Sequence, residues 1–295
     1  MDISFIIVNY NTTELTTECL RSIYQFTHNN SFEIIVVDNA SPDRSIDTIT
    51  VVFPNVKLIN NLENLGFGPA NNIGVAHAKG KYVFLLNSDT QLISDAAEVF
   101  FNYMESPDHG NAACCGGALV DGKGSDQVSY GNFPSIREAI AALGPLLLFK
   151  RYFQRHLSSG VFNYSDEIRR VDYICGADLF CRAEVLKRVG QFDPAFFLYF
   201  EEVELAKRLR QAGYHSVIIP EVKIIHHEGA SQDADKLKPQ KIQQFAKSRR
   251  LYFQKCNRGI TAVVINKIYA FQAFIFLLTK RNKAYLTTAR ILFNN

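Results

Sequence analysis

The sequence predicts an α/β fold, a mostly parallel sheet flanked by helices, with a basic amphipathic helical segment at the C-terminal end. Three observations carry that prediction. Apolar, β-branched runs alternate with helical patterns four times in the first ninety residues, which implies βαβ units with right-handed crossovers. Three of the runs stop on polar clusters, at residues 9–11, 38–43 and 87–90, where a parallel sheet places its ligands. The charge is also divided: residues 236–295 hold 13 Lys or Arg and no Asp or Glu, a segment of +13 after a body of −10.

Residues 4–8 read as a buried strand. Asn11 or Thr12 can cap the next helix, in which Leu15, Cys19, Leu20, Ile23 and Tyr24 recur at helical spacing. Residues 32–37 form a second strand, 45–52 a short helix and 56–59 a third strand. A loop over 60–68 precedes a helix opened by Pro69, and 82–86 form a fourth strand. Gly, Ser and Asp dominate 107–135, which predicts loops with short strands. Residues 136–170 read as a mobile or acceptor-facing insertion. Residues 171–182 read as strand or turn and 183–189 as a short helix. Residues 201–212 form an amphipathic helix closed by Gly213. Residues 214–219 read as strand, and 222–225 lead to His226 and His227.

A hydrophobic content of 47% with 21% charged residues fits a globular core and excludes disorder, collagen-like repeats and coiled coil. Six cysteines without a C-x-x-C pair read as reduced, buried thiols of a cytosolic protein. The N-terminal run ends at Asn9 and reads as a strand, not a leader; no uninterrupted apolar run reaches the length of an ordinary membrane span. The division is a catalytic body at 1–235 and a helical segment at 236–295.

Several side chains offer chemistry, each against a plainer role. Asp38, at a strand end, can accept hydrogen bonds from a base or ribose, or simply organise a turn. The G-x-G-x-x-G fingerprint is absent, which argues against a nicotinamide-type Rossmann domain. Asp89 can hold Mg²⁺ or Mn²⁺ beside a diphosphate, or cap a helix over 91–103. Glu201, Glu202 and Glu204 follow an aromatic run, where a carboxylate has reason to carry a raised pKa and serve as a base. They also suit a helix N-terminus, and Glu204 can pair with Arg208. His226 and His227, in a polar stretch after a strand, suit a metal or phosphate, or a structural role. Residues 260–279 are mostly apolar and are followed at once by Lys280, Arg281 and Lys283. They read as interfacial helices on anionic lipid, with packing onto the body as the alternative. Nucleic acid is disfavoured by the long apolar stretches.

Together these clusters, in this order, resemble the family 2 glycosyltransferases, inverting nucleotide-sugar enzymes of the GT-A fold, and among them bacterial rhamnosyltransferase-like members. The matching residues begin with Ile6-Ile7-Val8-Asn9-Tyr10-Asn11 and Val36-Val37-Asp38-Asn39-Ala40-Ser41. Next come Asn64-Leu65-Gly66-Phe67-Gly68-Pro69-Ala70-Asn71-Asn72 and Leu85-Leu86-Asn87-Ser88-Asp89. Further on are Gly176-Ala177, the run from Phe192 to Leu205, and His226-His227-Glu228-Gly229-Ala230-Ser231. The resemblance covers about residues 1–235. It implies that Asn9, Asn11 and Asp38 line the nucleobase and ribose pocket. It sets Asn64, Gly66 and Asn72 along the nucleotide, with Asn87 and Ser88 beside them. Asp89 stands at the metal-binding carboxylate, helped by His226, while Asn87 replaces the first Asp of that motif. Glu202 matches the catalytic base, with Glu201 as the fallback. The implied cofactor is Mg²⁺ or Mn²⁺. The implied partners are a dTDP- or UDP-linked sugar, rhamnose first, and a saccharide or lipid-linked saccharide acceptor at the inner face of the cell membrane. A homodimer stays open. The rival functions are a sugar-nucleotide-forming nucleotidyltransferase and a non-catalytic nucleotide-sugar-binding subunit.

Overall fold

The computed structural model describes the chain apart from residues 43–44, 142, 145–148, 228–237, 258 and 281–283. Strands β1 (Ile3–Asn9), β2 (Phe32–Asp38), β3 (Lys57–Asn60) and β4 (Tyr82–Asn87) alternate with helices α1 (Thr13–Phe26), α2 (Ser45–Val52) and α3 (Phe67–His77). All four strands run parallel, with Ile3 of β1 level with both Phe32 and Tyr82. Their apolar runs are continuous because both faces of the sheet are covered. Ile3, Phe5 and Ile7 join one core while Ile6 joins the core on the other side. α3 begins before Pro69, so the proline falls inside the first turn, where its missing N–H leaves no bond unmade.

A short β5 (Thr90–Leu92) precedes α4 (Ala96–Glu105). The cap of α4 is Asp95, whose carboxylate accepts from the Glu98 backbone N–H at 3.0 Å, so the helix over 91–103 with Asp89 as its cap does not form. Then come β6 (Ala112–Val120), β7 (Val128–Gly131), α5 (Ile136–Ala141), α6 (Lys150–His156), β8 (Val161–Phe162), β9 (Arg169–Val171), β10 (Tyr173–Ile174) and β11 (Asp178–Arg182). The body ends with α7 (Ala183–Val189), α8 (Glu201–Gln211) and β12 (His215–His226). The large sheet is mixed α/β in type, ordered β3-β2-β1-β4-β11-β6-β12-β5, with β9 also paired to β12; β10, β7 and β8 form a second, smaller sheet. The sheet is parallel from β3 to β4 and again between β6 and β12, while β11 runs antiparallel between the two parallel blocks.

Two further elements differ from their sequence reading. β6 is a nine-residue strand, buried along its whole length, where loops with short strands were expected. Its first seven residues are Ala, Cys and Gly, and neighbouring elements press close there: a Cβ on Gly117 would lie 2.7 Å from the Val222 carbonyl oxygen. The two segments after α8 are one continuous strand, β12, with a register irregularity between Ile218 and Lys223.

Helices α9 (Pro239–Cys256), α10 (Gly259–Lys280) and α11 (Ala284–Asn294) follow. α9 packs on the body. Tyr252 and Phe253 are fully buried, Ser248 Oγ donates to the Leu198 carbonyl at 2.7 Å, and Lys255 pairs with Asp193 at 2.5 Å. α10 behaves differently. Its stretch Thr261–Thr279 is long and apolar enough to cross a membrane by length and composition, although only 28% of it is buried. Counting uninterrupted apolar residues misses it, because Asn266, Lys267 and Gln272 break the run. Val263, Phe271, Phe274 and Leu278 are exposed along it.

Candidate functional site

The carboxyl ends of β1, β2 and β4 come together as the strand pattern requires. Asn9 is fully buried and donates through Nδ2 to Asp38 Oδ1 at 2.7 Å and to Ser41 Oγ at 3.1 Å. Asp38 Oδ2 accepts from the Ser41 backbone N–H at 3.0 Å. Asn11 is exposed, in the left-handed region at φ 55°, and its N–H donates to Ser41 Oγ. Thr12 occupies the N-cap position of α1 without capping it. Its hydroxyl lies 3.0 Å from Asn9 Oδ1 and 3.0 Å from Ser88 Oγ, and so ties the β1 end to the β4 end. Thr16 Oγ1 also donates to Asn9 Oδ1, at 2.8 Å. The wall of this cleft is therefore set by a buried polar network whose members satisfy one another.

The second loop of the cleft is organised by Asn39. Its Nδ2 donates to Asn64 Oδ1 at 2.8 Å and to the Gly66 carbonyl at 3.2 Å, while its Oδ1 accepts from Asn61 and from the Leu65 N–H. Gly66 sits at φ 90°, a conformation that L side chains rarely adopt. The next N–H, of Phe67, donates to the Phe197 carbonyl at 2.8 Å, which joins this loop to the aromatic run before α8. Asn72 faces elsewhere: both ends of its amide are engaged with the Phe192 backbone, at 2.8 and 3.0 Å.

Beyond β4, Asp89 is 4% exposed and its Oδ1 lies 3.4 Å from His226 Nε2. His226 Nδ1 faces Gln127 Oε1 at 3.2 Å, and Gln127 Nε2 donates to the His226 carbonyl at 2.9 Å. A proton on Nδ1 would face the glutamine oxygen, and in that tautomer the lone pair of Nε2 faces a carboxylate. Two electron-pair donors held that close call for a cation or proton between them. Asn87 Nδ2 lies 3.5 Å from the same Nε2, and Asn87 Oδ1 is buried without a hydrogen-bond partner. A carboxylate, an imidazole and an orphaned amide oxygen suit a hard divalent cation that takes its remaining ligands from a diphosphate. Among the described residues no cluster of three or more His, Cys, Asp or Glu side chains is arranged for a metal. A cation here would therefore depend on oxygen atoms of a bound ligand. Glu228 and the rest of the expected stretch to Ser231 lie outside the described residues.

Glu201 and Glu202 open α8 immediately after two left-handed aromatic residues, Tyr199 at φ 71° and Phe200 at φ 70°. Each such conformation costs about 1–3 kcal/mol and persists only where its surroundings impose it. α9 imposes it: Phe245 packs on Tyr199 and Phe200 at 5.3 and 5.1 Å between ring centroids, and Tyr252 packs on Phe200 at 5.6 Å. The two acids differ in access. Glu201 is 4% exposed with Oε2 unpartnered, and burial followed by the neighbouring Glu202 charge holds its carboxyl well above the usual range. Glu202 is half-buried; burial pushes it up to about 7, against the pull of backbone N–H groups at the helix start. It stands beside Gly176, where a Cβ would meet its Cβ and Cγ at 3.8 Å and Phe67 at 3.6 Å. Glu204 turns away into an ion pair with Arg208 at 2.8 Å.

Sequence reasoning missed Gln127, Thr16 and Asn39 as site residues and gave Thr12 only a capping role. Gln127 meets His226 across 99 residues, and Asn39, although inside a matching stretch, shows its role only through Asn61, Asn64 and Gly66.

A sequence model of glycosyl transferase family 2 matches residues 4–158, more than half of the chain, and the protein belongs to that family. It is similar to the N-acetylglucosaminyl-diphospho-decaprenol L-rhamnosyltransferase of Mycobacterium tuberculosis, with 28% identity over 219 residues, 68% of each chain. It is also similar to rhamnosyltransferase WbbL of Escherichia coli K12, with 28% identity over 171 residues, 55% of this chain and 61% of that one. Among solved structures it resembles GalNAc-T7 with UDP, GalNAc and Mn²⁺, at a TM-score of 0.60 and 14% identity, over all of this chain and 54% of that one. It also resembles S. aureus TarS, at 0.56 and 13%, over 94% of this chain and 44% of that one. At such identities the structural likeness speaks for the fold, which is that of the GT-A glycosyltransferases.

Proposed function

We propose that this glycosyltransferase moves a sugar, rhamnose first, from a dTDP- or UDP-linked donor to a lipid-linked saccharide, with inversion at the anomeric carbon. The acceptor belongs to the synthesis of a bacterial surface polysaccharide. The observation that carries the reading is the pairing of the Asp89–His226–Asn87 cluster with the polar network of Asn9, Asp38 and Ser88 at one sheet end. Two rhamnosyltransferase relatives supply the sugar, and the decaprenol-linked name of one supplies the acceptor class.

In this reading Asp38 and Asn9 receive the nucleoside, and the Asn64–Gly66 loop lies along it. Asp89, His226 and Asn87 would hold Mg²⁺ or Mn²⁺, which when bound offsets negative charge on the diphosphate. Glu202 is the base. Its carboxylate takes the proton of the acceptor hydroxyl as that oxygen bonds to the anomeric carbon, while the bond from that carbon to the diphosphate oxygen breaks on the opposite face. General base catalysis of this kind contributes about 10²–10⁴-fold. Glu201, buried and neutral, supports the helix start and does not meet the acceptor. The exposed apolar side of α10 and the positive charge of residues 236–295 dock the enzyme at the inner membrane face, where a lipid-linked acceptor lies.

The test is a thermal-melt panel of dTDP, UDP, GDP and CMP with and without Mn²⁺ or Mg²⁺. A ligand at a hundred times its dissociation constant adds about 2.7 kcal/mol, a rise of several degrees at about 2–4 °C per kcal/mol. A metal-dependent rise with dTDP or UDP is expected. No rise with any of the four, with or without metal, would contradict the reading.

A further inference from the structure

The C-terminal helices line an open cavity of about 290 Å³ that has no part in the transfer chemistry. Phe245, Tyr269, Phe276 and Leu292 give it apolar walls, and the charged side chains that line it are both basic, Lys241 and Arg249. Arg249 is only 5% exposed. Its Nε donates to Asn266 Oδ1 at 2.7 Å and its guanidinium stacks 3.9 Å from the Tyr269 ring centroid, but Nη2 has no hydrogen-bond partner. An unpartnered donor on a buried cation is costly. Burial brings Arg249 down to about 10, which leaves it charged at neutral pH. The acid whose field reaches it is Glu138, and one oxygen of Glu138 is already taken by Ser159. An apolar slot with a half-satisfied guanidinium asks for an apolar chain that ends in an anion able to accept several hydrogen bonds.

We propose that this cavity seats one apolar chain of an anionic membrane lipid, with its phosphate held by Arg249 and Lys241. A second apolar cavity of about 380 Å³ repeats the pattern on another face of the α10–α11 pair, with Lys267 and Arg290 as its charged side chains and Phe271 and Phe274 in its walls. Two such seats suit the many identical headgroups of a membrane leaflet better than one substrate. The first also touches catalysis, because Phe245 packs on the Tyr199–Phe200 turn that presents Glu202. Filling the cavity would brace that turn. The inference rests on the membrane docking proposed above, but the test needs neither a bilayer nor a sugar donor, so either reading can fail without the other.

The test is calorimetric titration of the full chain with monomeric dodecyl phosphate, with dodecyl maltoside as the uncharged counterpart and with inorganic phosphate alone. The expected result is at least about tenfold tighter binding of dodecyl phosphate than of dodecyl maltoside, and none of inorganic phosphate. Arg249→Met should bring the two detergents to within about threefold. Lys241→Glu, at a half-buried position, should move in the same direction. Equal affinity for the two detergents would overturn the proposal, as would a preference that survives both substitutions. Binding of inorganic phosphate as tight as that of dodecyl phosphate would overturn the role of the chain. A tenfold preference for farnesyl phosphate over dodecyl phosphate would overturn the assignment to membrane lipid.

Discussion

Replacing Gly66 by alanine perturbs the junction on which the cleft turns. The residue lies at φ 90° and ψ 175°, a region essentially reserved for glycine, and forcing an L side chain there costs about 1–3 kcal/mol. A Cβ would also stand 2.8 Å from the Phe197 Cα and carbonyl carbon, and closer still to its oxygen. Backbone atoms cannot turn aside as a side chain can, and overpacking of this kind adds about 1–3 kcal/mol. The sum, about 2–6 kcal/mol, corresponds to a melting temperature lower by roughly 4–24 °C. The easiest relief is to part the loop from the aromatic turn, which breaks the Phe67 to Phe197 hydrogen bond and displaces Glu202 five residues further on. Misplacement by about an ångström can cost 10²-fold in rate, so turnover should fall by more than stability alone explains at a temperature where the variant is folded. Gly124→Ala is the control: φ there is 81° with nothing within 4 Å of a new Cβ, so only the backbone penalty applies. Scanning calorimetry and sugar-transfer assays on the two variants make the comparison. A Gly66→Ala protein that melts within about 1 °C of wild type and turns over normally would refute the reasoning.

Four further outcomes follow from the site and the tail. Gln127→Ala, which frees the His226 ring, should weaken Mn²⁺ binding by about 10–100-fold while nucleotide binding without metal is retained; calorimetry with Mn²⁺ checks it. A general base must be ionised to act, so with Glu202 as the proposed base kcat/KM should rise with pH through about 7. Stability should move the opposite way. The folded protein keeps protons on Glu201 and Glu202 that the unfolded chain releases near 4.5, so their contribution is full below that pH and is lost as pH rises through about 7. Melts between pH 4.5 and 8 measure this, and Glu202→Gln should flatten the slope. Lys267→Glu with Arg290→Glu should lower co-sedimentation with anionic vesicles, and added salt should do the same to wild type.

Much of the site was readable because a parallel sheet announces its ends. Asn9, Asp38 and Asn87 each close an apolar run, and the fold gathers those closures at one edge. β6 was unreadable because its constraint is spatial: Gly117 must admit Val222, and small residues carry no strand propensity of their own. Gln127 was unreadable for a related reason, since its amide meets His226 across 99 residues. Glu201 and Glu202 could be proposed as a pair, but only burial separates an interior acid from an accessible one. The tail was legible in charge and not in shape. Its composition offered lipid contact and packing onto the body as alternatives, and did not show that α9 would pack on Leu198 and Phe200 while α10 kept an apolar side exposed.

The central claim is that Glu202 removes the acceptor proton in a sugar transfer. The measurement that meets it most directly is turnover of Glu202→Gln with the donor and acceptor that wild type uses, alongside nucleotide affinity measured by calorimetry. The amide keeps the shape and gives up the base. Turnover should fall by about 10²-fold or more with nucleotide affinity near the wild-type value. A variant that keeps more than about a tenth of wild-type turnover would contradict the account, since a general base contributes at least 10²-fold.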